Sequence, residues 1–264
     1  MLLRPKIGKS VEKWGLSPFS GFTLIELLIV VGIIGLLAGL LLPALRGAKE
    51  RANAAYCMSN LRQLTAAALL YAEYNDGHFP PSSWDIMRGN LHRWHGVRDN
   101  QGEPFDFKRS PLHPYLKTDR IKACPTFAQH LRGFEAGCGG YGYNDSYVGS
   151  SRGIPGDGSS LPARRGMIHD PSGTILFADC AFLEWSTGEI IEYSFVTEPR
   201  FEAWGNTPST PSVHFRHHGL ANVSWCDGHI SAEPMGFSKD GTANAKHDIG
   251  YVGKWHDNRL CDRD

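Results

Sequence analysis

The sequence predicts an α+β chain: one long N-terminal helix, membrane-spanning in its first half, packed on a small antiparallel sheet within a loop-rich body. Three observations predict it. Phe22 to Leu42 is an apolar run of 21 residues in which only Thr23 and Glu26 are polar. Apolar positions then recur at Leu45, Ala48, Ala52, Ala55, Met58, Leu61, Leu64, Ala68 and Tyr71, in the three-or-four steps of one helical face. The 30 glycines and 16 prolines exceed the usual share and demand many turns. Composition sets outer limits. With 41% hydrophobic and 20% charged residues the chain is globular rather than disordered. Its 27 basic residues equal its 27 acidic ones, so nucleic acid is not an expected partner, because no basic excess exists to neutralise phosphates.

At 1.5 Å per residue the apolar run spans roughly 31 Å, about one hydrocarbon core. A cleaved secretory signal fits it poorly: the charged segment ahead is long, and no small-x-small site directly follows. The periodicity predicts a helix from about Phe22 to Tyr74, with Asn75-Asp76-Gly77 as the stop and Pro80-Pro81 forbidding continuation. Glu26 is the odd residue, since a carboxylate in hydrocarbon costs roughly 2.5–3.5 kcal/mol. It either reaches the interface at the helix end or pairs with a cation. A chain cut before Phe22 would supply one, an α-amine four residues away on the same face, and the amine of a neighbouring subunit would serve equally. Gly35 and Gly39, with Gly32 nearby, form a Gly-x-x-x-Gly face that allows close helix approach in lipid. Pro43 is expected to kink the helix or open one turn. The expected organisation is a leader over 1–21, an assembly helix over 22–43, its amphipathic continuation over 44–76, and a body over 77–264.

In the body, Pro81 to Pro125 shows no periodicity and reads as loops with one short helix near Pro111–Lys117. Thr174–Ala178 and Ile190–Val196 read as buried strands. Ala221–Cys226 and His229–Glu233, joined by Asp227-Gly228, read as a hairpin over 221–233 with a type I′ turn.

Gly21-Phe22-Thr23-Leu24-Ile25-Glu26, the apolar run and Pro43 together resemble a type IV prepilin signal. The resemblance implies that a prepilin peptidase cuts after Gly21 and methylates the Phe22 amine, so that Glu26 becomes the fifth mature residue and Pro43 the twenty-second. It also implies a single pass through inner-membrane lipid, with the basic leader (Arg4, Lys6, Lys9, Lys13) cytoplasmic and the body periplasmic or otherwise extracytoplasmic. Cys57–Leu64, with Tyr71 through Pro80 after it, is similar to pseudopilin-like proteins of type II secretion. Cys124-Pro125 and Gly140–Asn144 are similar to the middle of a large bacterial subgroup. His217, nine residues, then Asp227-Gly228 resembles that subgroup's prepilin-type processing-associated signature. The implied role is structural: assembly with other pilin or pseudopilin subunits into a type IV pilus-like or type II secretion pseudopilus filament, with no enzymatic activity. The alternative is a surface-anchored glycan- or metal-binding module that uses the pilin export signal.

Candidate chemistry is sparse. His214, His217, His218 and His229 lie close to Asp227 in sequence, but as strand residues His214 and His218 would face away from His217, and no zinc spacing is present. The expected role of His217 and Asp227 is to hold the hairpin region. No cofactor is expected. Calcium is the weak alternative implied by the pseudopilin resemblance, with oxygen donors from Asp227, Asp240, Asn244 and Asp248. The six cysteines permit disulfides in an exported body, and Cys124–Cys138 is the expected local pair, tying a glycine-rich loop.

Overall fold

The computed structural model describes residues 22–83, 85–86, 88–149, 161–201, 205–238, 243–254 and 256–262. Gly21 and the leader, and Asp240, lie outside the described residues. The chain divides into two compact units at Arg46/Gly47.

In the first unit, α1 (Leu24–Tyr74, 51 residues) begins and passes through Pro43. Its residues from Leu24 to Leu45 present their apolar side chains outward. Among the described residues it is the helix long and apolar enough to cross a membrane.

In the second unit, the rest of α1 buries Cys57, Leu61, Leu64, Ala68 and Ala72. The buried stripe is rotated slightly from the expected one. Ala52 and Ala55 are exposed, and Cys57, Asn60 and Thr65 face inward instead. Small side chains at Ala67, Ala68 and Ala72 let the helix sit close to the body. The expected stop is observed: the Gly77 N–H donates to the Ala72 carbonyl at 2.9 Å, with Asp76 and Gly77 both left-handed.

Two short antiparallel strands, β1 (His92–Arg93) and β2 (Gly96–Val97), follow. α2 (His113–Leu116) fulfils the expected short helix. A seven-stranded sheet holds β3 (Tyr141–Asn144), β4 (Ile175–Asp179), β7 (Phe195–Val196), β10 (Val213–His214), β11 (Leu220–Trp225), β12 (Ile230–Phe237) and β13 (Ile249–Val252). Its order is β10-β13-β12-β11-β4-β3-β7, antiparallel except for the parallel β3–β7 edge. Two further antiparallel pairs are β5 (Phe182–Leu183) with β6 (Ile190–Ile191), and β8 (Arg200–Phe201) with β9 (Thr207–Pro208). α3 (Ala243–Lys246) precedes β13. The expected strand over Ile190–Val196 is therefore two: Ile190 and Ile191 pair with β5, whereas Phe195 and Val196 join the main sheet.

The hairpin β11–β12 forms in register from Leu220↔Pro234 to Ser224↔Ile230. Its turn is not type I′. The Gly228 N–H bonds the Trp225 carbonyl at 2.9 Å, and Trp225 N–H bonds the His229 carbonyl at 3.0 Å. Gly228 has a positive φ of 102°, whereas Asp227 does not take one. The connection is thus a three-residue loop with glycine at the bulge position.

One core cluster joins α1 to β3 and β4 through Leu61, Leu64, Tyr141, Tyr143 and Phe177. The loop at Trp94, devoid of periodicity, is pinned there: Trp94 is fully buried, lies edge-on to Phe177 at 5.2 Å, and donates its indole N–H to the Ser194 carbonyl at 2.7 Å. Arg93 holds Glu135 through Nε at 2.8 Å and Nη2 at 2.8 Å, with both side chains buried.

Candidate functional site

Two places carry chemistry, one in each unit. At the start of α1, the Thr23 amide and hydroxyl donate to Glu26 Oε2 at 2.9 and 2.7 Å, and the Glu26 amide returns a bond to Thr23 Oγ1 at 3.3 Å. This reciprocal pair is a capping box. It satisfies donors that the helix terminus would otherwise leave open in an apolar medium. The Thr23-x-x-Glu26 pattern carries that signal in sequence, beside the cation-pairing and interface readings of Glu26. Phe22 is exposed. A Cβ built at Gly32, Gly35 or Gly39 meets no atom within 4 Å, so the small-residue face is open.

In the body, Cys57 on α1 forms a disulfide with Cys124, 67 residues later. This corrects the expected Cys124–Cys138 pair. Cys124 opens a 3-10 helix, Pro125–His130, and donates its amide to the Gly139 carbonyl at 3.1 Å, which sets its sulfur against the helix face. Asn60, one turn on from Cys57, reinforces the junction by donating to the Lys122 carbonyl and to Tyr141 Oη, each at 3.1 Å. Among the described residues, Cys138, Cys180, Cys226 and Cys261 are free and buried. Burial pushes the Cys180 thiol up to about 12 and Cys138 well above its ordinary value, so neither is ionised as a nucleophile would be.

His217 reaches the same junction. Its Nε2 lies 3.6 Å from Cys124 Sγ and 3.4 Å from Asp179 Oδ2. Asp179 is fully buried, takes Arg216 Nη2 at 2.9 Å on its other oxygen, and accepts the Asn222 amide at 2.8 Å. Burial lowers the His217 pKa against the opposing pull of Asp179. Sulfur and carboxylate approach one and the same ring nitrogen, so a nucleophile–base–carboxylate relay, which needs both nitrogens, is not formed.

His217 and Asp227 do not meet. They sit at opposite ends of β11, and of the histidines near Asp227 in sequence it is His229 that meets it, Nδ1 lying 2.7 Å from Asp227 Oδ1. Asp227 also accepts the His229 amide at 2.9 Å, so it does hold its turn. His214 is buried on β10, and His218 occupies a left-handed turn position. Asp248 follows α3, beyond the end of β12 opposite the hairpin turn, so it is not brought to Asp227. The glycine-rich loop at 137–140 turns its Gly137 and Gly139 amides onto Glu192, at 3.2 and 2.7 Å. The chain's own carboxylate fills what could otherwise cradle an anion. The disulfide partner, the capping box and the His217–Asp179 contact are what the sequence reading lacked.

A family model described as the prokaryotic N-terminal methylation motif matches residues 16–42. The type II secretion system core protein G of Escherichia coli (strain K12) is 38% identical over 63 residues, which is 24% of this chain and 43% of that protein. The match therefore spans less than half of the relative's length. No solved structure matches. The chain thus carries a prokaryotic N-terminal methylation motif, on a pilin-like plan of a long N-terminal helix followed by a β-rich body.

Proposed function

We propose that the chain is a membrane-anchored structural subunit of the prepilin and pseudopilin kind. A prepilin peptidase cleaves after Gly21 and methylates the new Phe22 amine. The 22–42 segment anchors the subunit in the inner membrane, N-terminus cytoplasmic and body extracytoplasmic. It then passes into a type IV pilus-like or type II secretion pseudopilus filament with other such subunits. The observation that carries this reading is the methylation motif running into an apolar segment whose side chains are exposed among the described residues. A subunit of this kind needs two environments for that surface, lipid before assembly and neighbouring helices after it. The open Gly32, Gly35 and Gly39 positions suit the second.

Glu26 is free for a second task once a neighbour arrives. In one chain it caps its own helix, but a carboxylate accepts more bonds than Thr23 donates, so a neighbour's N-terminal amine can join without breaking the box. The test is Glu26→Ala in the native host, with filaments sheared and sedimented. The variant is expected in the membrane fraction, cleaved and folded, yet absent from the sedimented filaments. Normal incorporation of the variant would overturn the assembly role of Glu26.

A further inference from the structure

Cys57, Cys124 and His217 place two sulfurs and one imidazole nitrogen within 4.8 Å of one another, all three side chains buried. A disulfide alone accounts for two of these. It does not account for the third: His217 Nε2 has Asp179 Oδ2 at 3.4 Å besides the sulfur, but a bonded sulfur is a weak acceptor and the His217 Nδ1 is buried without a partner among the described residues. Three donors converging on one point are what a thiophilic divalent cation needs: two thiolates and a neutral imidazole in a closed, dry pocket. The charges also match. Arg216 already offsets Asp179, so two thiolates against a doubly charged ion leave the site without net charge, the condition for burying ions at low cost.

We propose that this junction is a thiol-gated metal site for a cation of the zinc class. Oxidised, the Cys57–Cys124 bond excludes the ion. A dithiol reductant opens it: one reductant sulfur attacks the disulfide, the sulfur–sulfur bond breaks to a mixed disulfide, and the second reductant sulfur resolves it. Two electrons and two protons pass to the protein, giving two cysteine thiols, and the reductant leaves as a cyclic disulfide. The ion then binds both sulfurs and His217 Nε2, releasing the two thiol protons. On binding the ion, Nε2 exchanges its contact with Asp179 Oδ2, 3.4 Å away, for the metal, and Asp179 stays held by Arg216 and the Asn222 amide. A cavity of about 500 Å³ is lined by Tyr56 and Ala123, the chain neighbours of the two cysteines.

The test uses the full-length chain in detergent, reduced with a phosphine under nitrogen and given cobalt(II) or zinc(II). Reduced protein is expected to hold about one metal per chain, with thiolate-to-cobalt charge-transfer absorption, and oxidised protein none. Bound zinc is expected to slow alkylation of Cys57 and Cys124 at least tenfold, mapped by peptide mass, and to leave Cys138 and Cys261 unchanged. His217→Ala is expected to weaken binding at least tenfold, and Cys138→Ala to leave it unaltered. The alkylation map needs no variant, so it decides the matter even if His217→Ala misfolds. A reduced, folded wild type that takes up no metal would overturn the proposal. So would zinc protection that falls on cysteines other than Cys57 and Cys124, or unchanged affinity in a folded His217→Ala chain.

Discussion

Replacing Cys57 and Cys124 together by alanine removes the covalent tie between the long helix and the body. Alanine is chosen so that no hydroxyl is left unpaired at two positions that are fully buried. The bridge closes a loop of 67 residues. Loop-closure entropy for that length gives about 4 kcal/mol of stability at 25 °C, all of it from the unfolded ensemble. For a body of this size about 4 kcal/mol corresponds to a fall in Tm of about 8–16 °C. The assay is thermal unfolding of the full-length chain in detergent and metal-free buffer, followed by tryptophan fluorescence, since Trp94 and Trp225 sit in the folded body. Reduced wild type is expected to melt with the double variant, and reduction is expected to leave the variant where it was. Cys138→Ala, which touches a free thiol, is expected to stay within a few degrees of wild type. A double variant that melts with oxidised wild type would refute the reasoning, as would peptide mapping that links Cys124 to Cys138.

Other consequences follow from the same contacts. Leu61→Ala opens space in the helix–sheet cluster and is expected to cost 2–5 kcal/mol, read as a lower denaturant midpoint. Stability is expected to fall on acidification in two stages. Burial keeps His95 neutral when folded, so protons favour the unfolded chain below about pH 6.5. Burial would raise Glu135, but the nearby His95 ring, 3.6 Å away, and the Arg93 guanidinium prevail and hold its carboxyl at about 2. Its folded pKa is thus depressed, and its contribution of about 3 kcal/mol is present above about pH 4.3 and lost as pH falls towards 2. Glu135→Gln is expected to flatten the second stage while lowering stability at neutral pH, because Arg93 is then left buried without its counter-ion. Gly35→Leu is made where an added Cβ meets no atom within 4 Å among the described residues. It is expected to leave body unfolding unchanged while reducing helix–helix association in the membrane, scored by cross-linking.

Local features were legible in the sequence, and long-range ones were not. The helix expected from Phe22 to Tyr74 runs from Leu24 to Tyr74, because its apolar run, periodicity and Asn75-Asp76-Gly77 stop are all written within a few residues. The β11–β12 hairpin was legible for the same reason, although the position of its glycine selected a bulged loop over a type I′ turn. The partner of Cys124 was not legible. Nothing local distinguishes Cys138, fourteen residues away, from Cys57 on a distant helix, and the choice is made by how the 122–124 segment lies against α1. Trp94 and Arg93 lack periodicity around them, yet they are buried by a tryptophan–phenylalanine contact and a buried ion pair with residues 42 or more positions away. The His217–Asp227 signature reads as one motif, and the structure parts it across the length of β11. It was legible as a pattern, but its two halves serve different neighbours, His217 the disulfide junction and Asp227 the hairpin turn.

The central claim is that this chain enters the prepilin processing pathway at Gly21–Phe22. It is tested most directly by the mass of the N-terminal peptide from protein extracted from its native membrane. The expected peptide begins at Phe22 and carries one methyl group on its amine. A peptide that still begins at Met1, or a cut at any other bond, would contradict it.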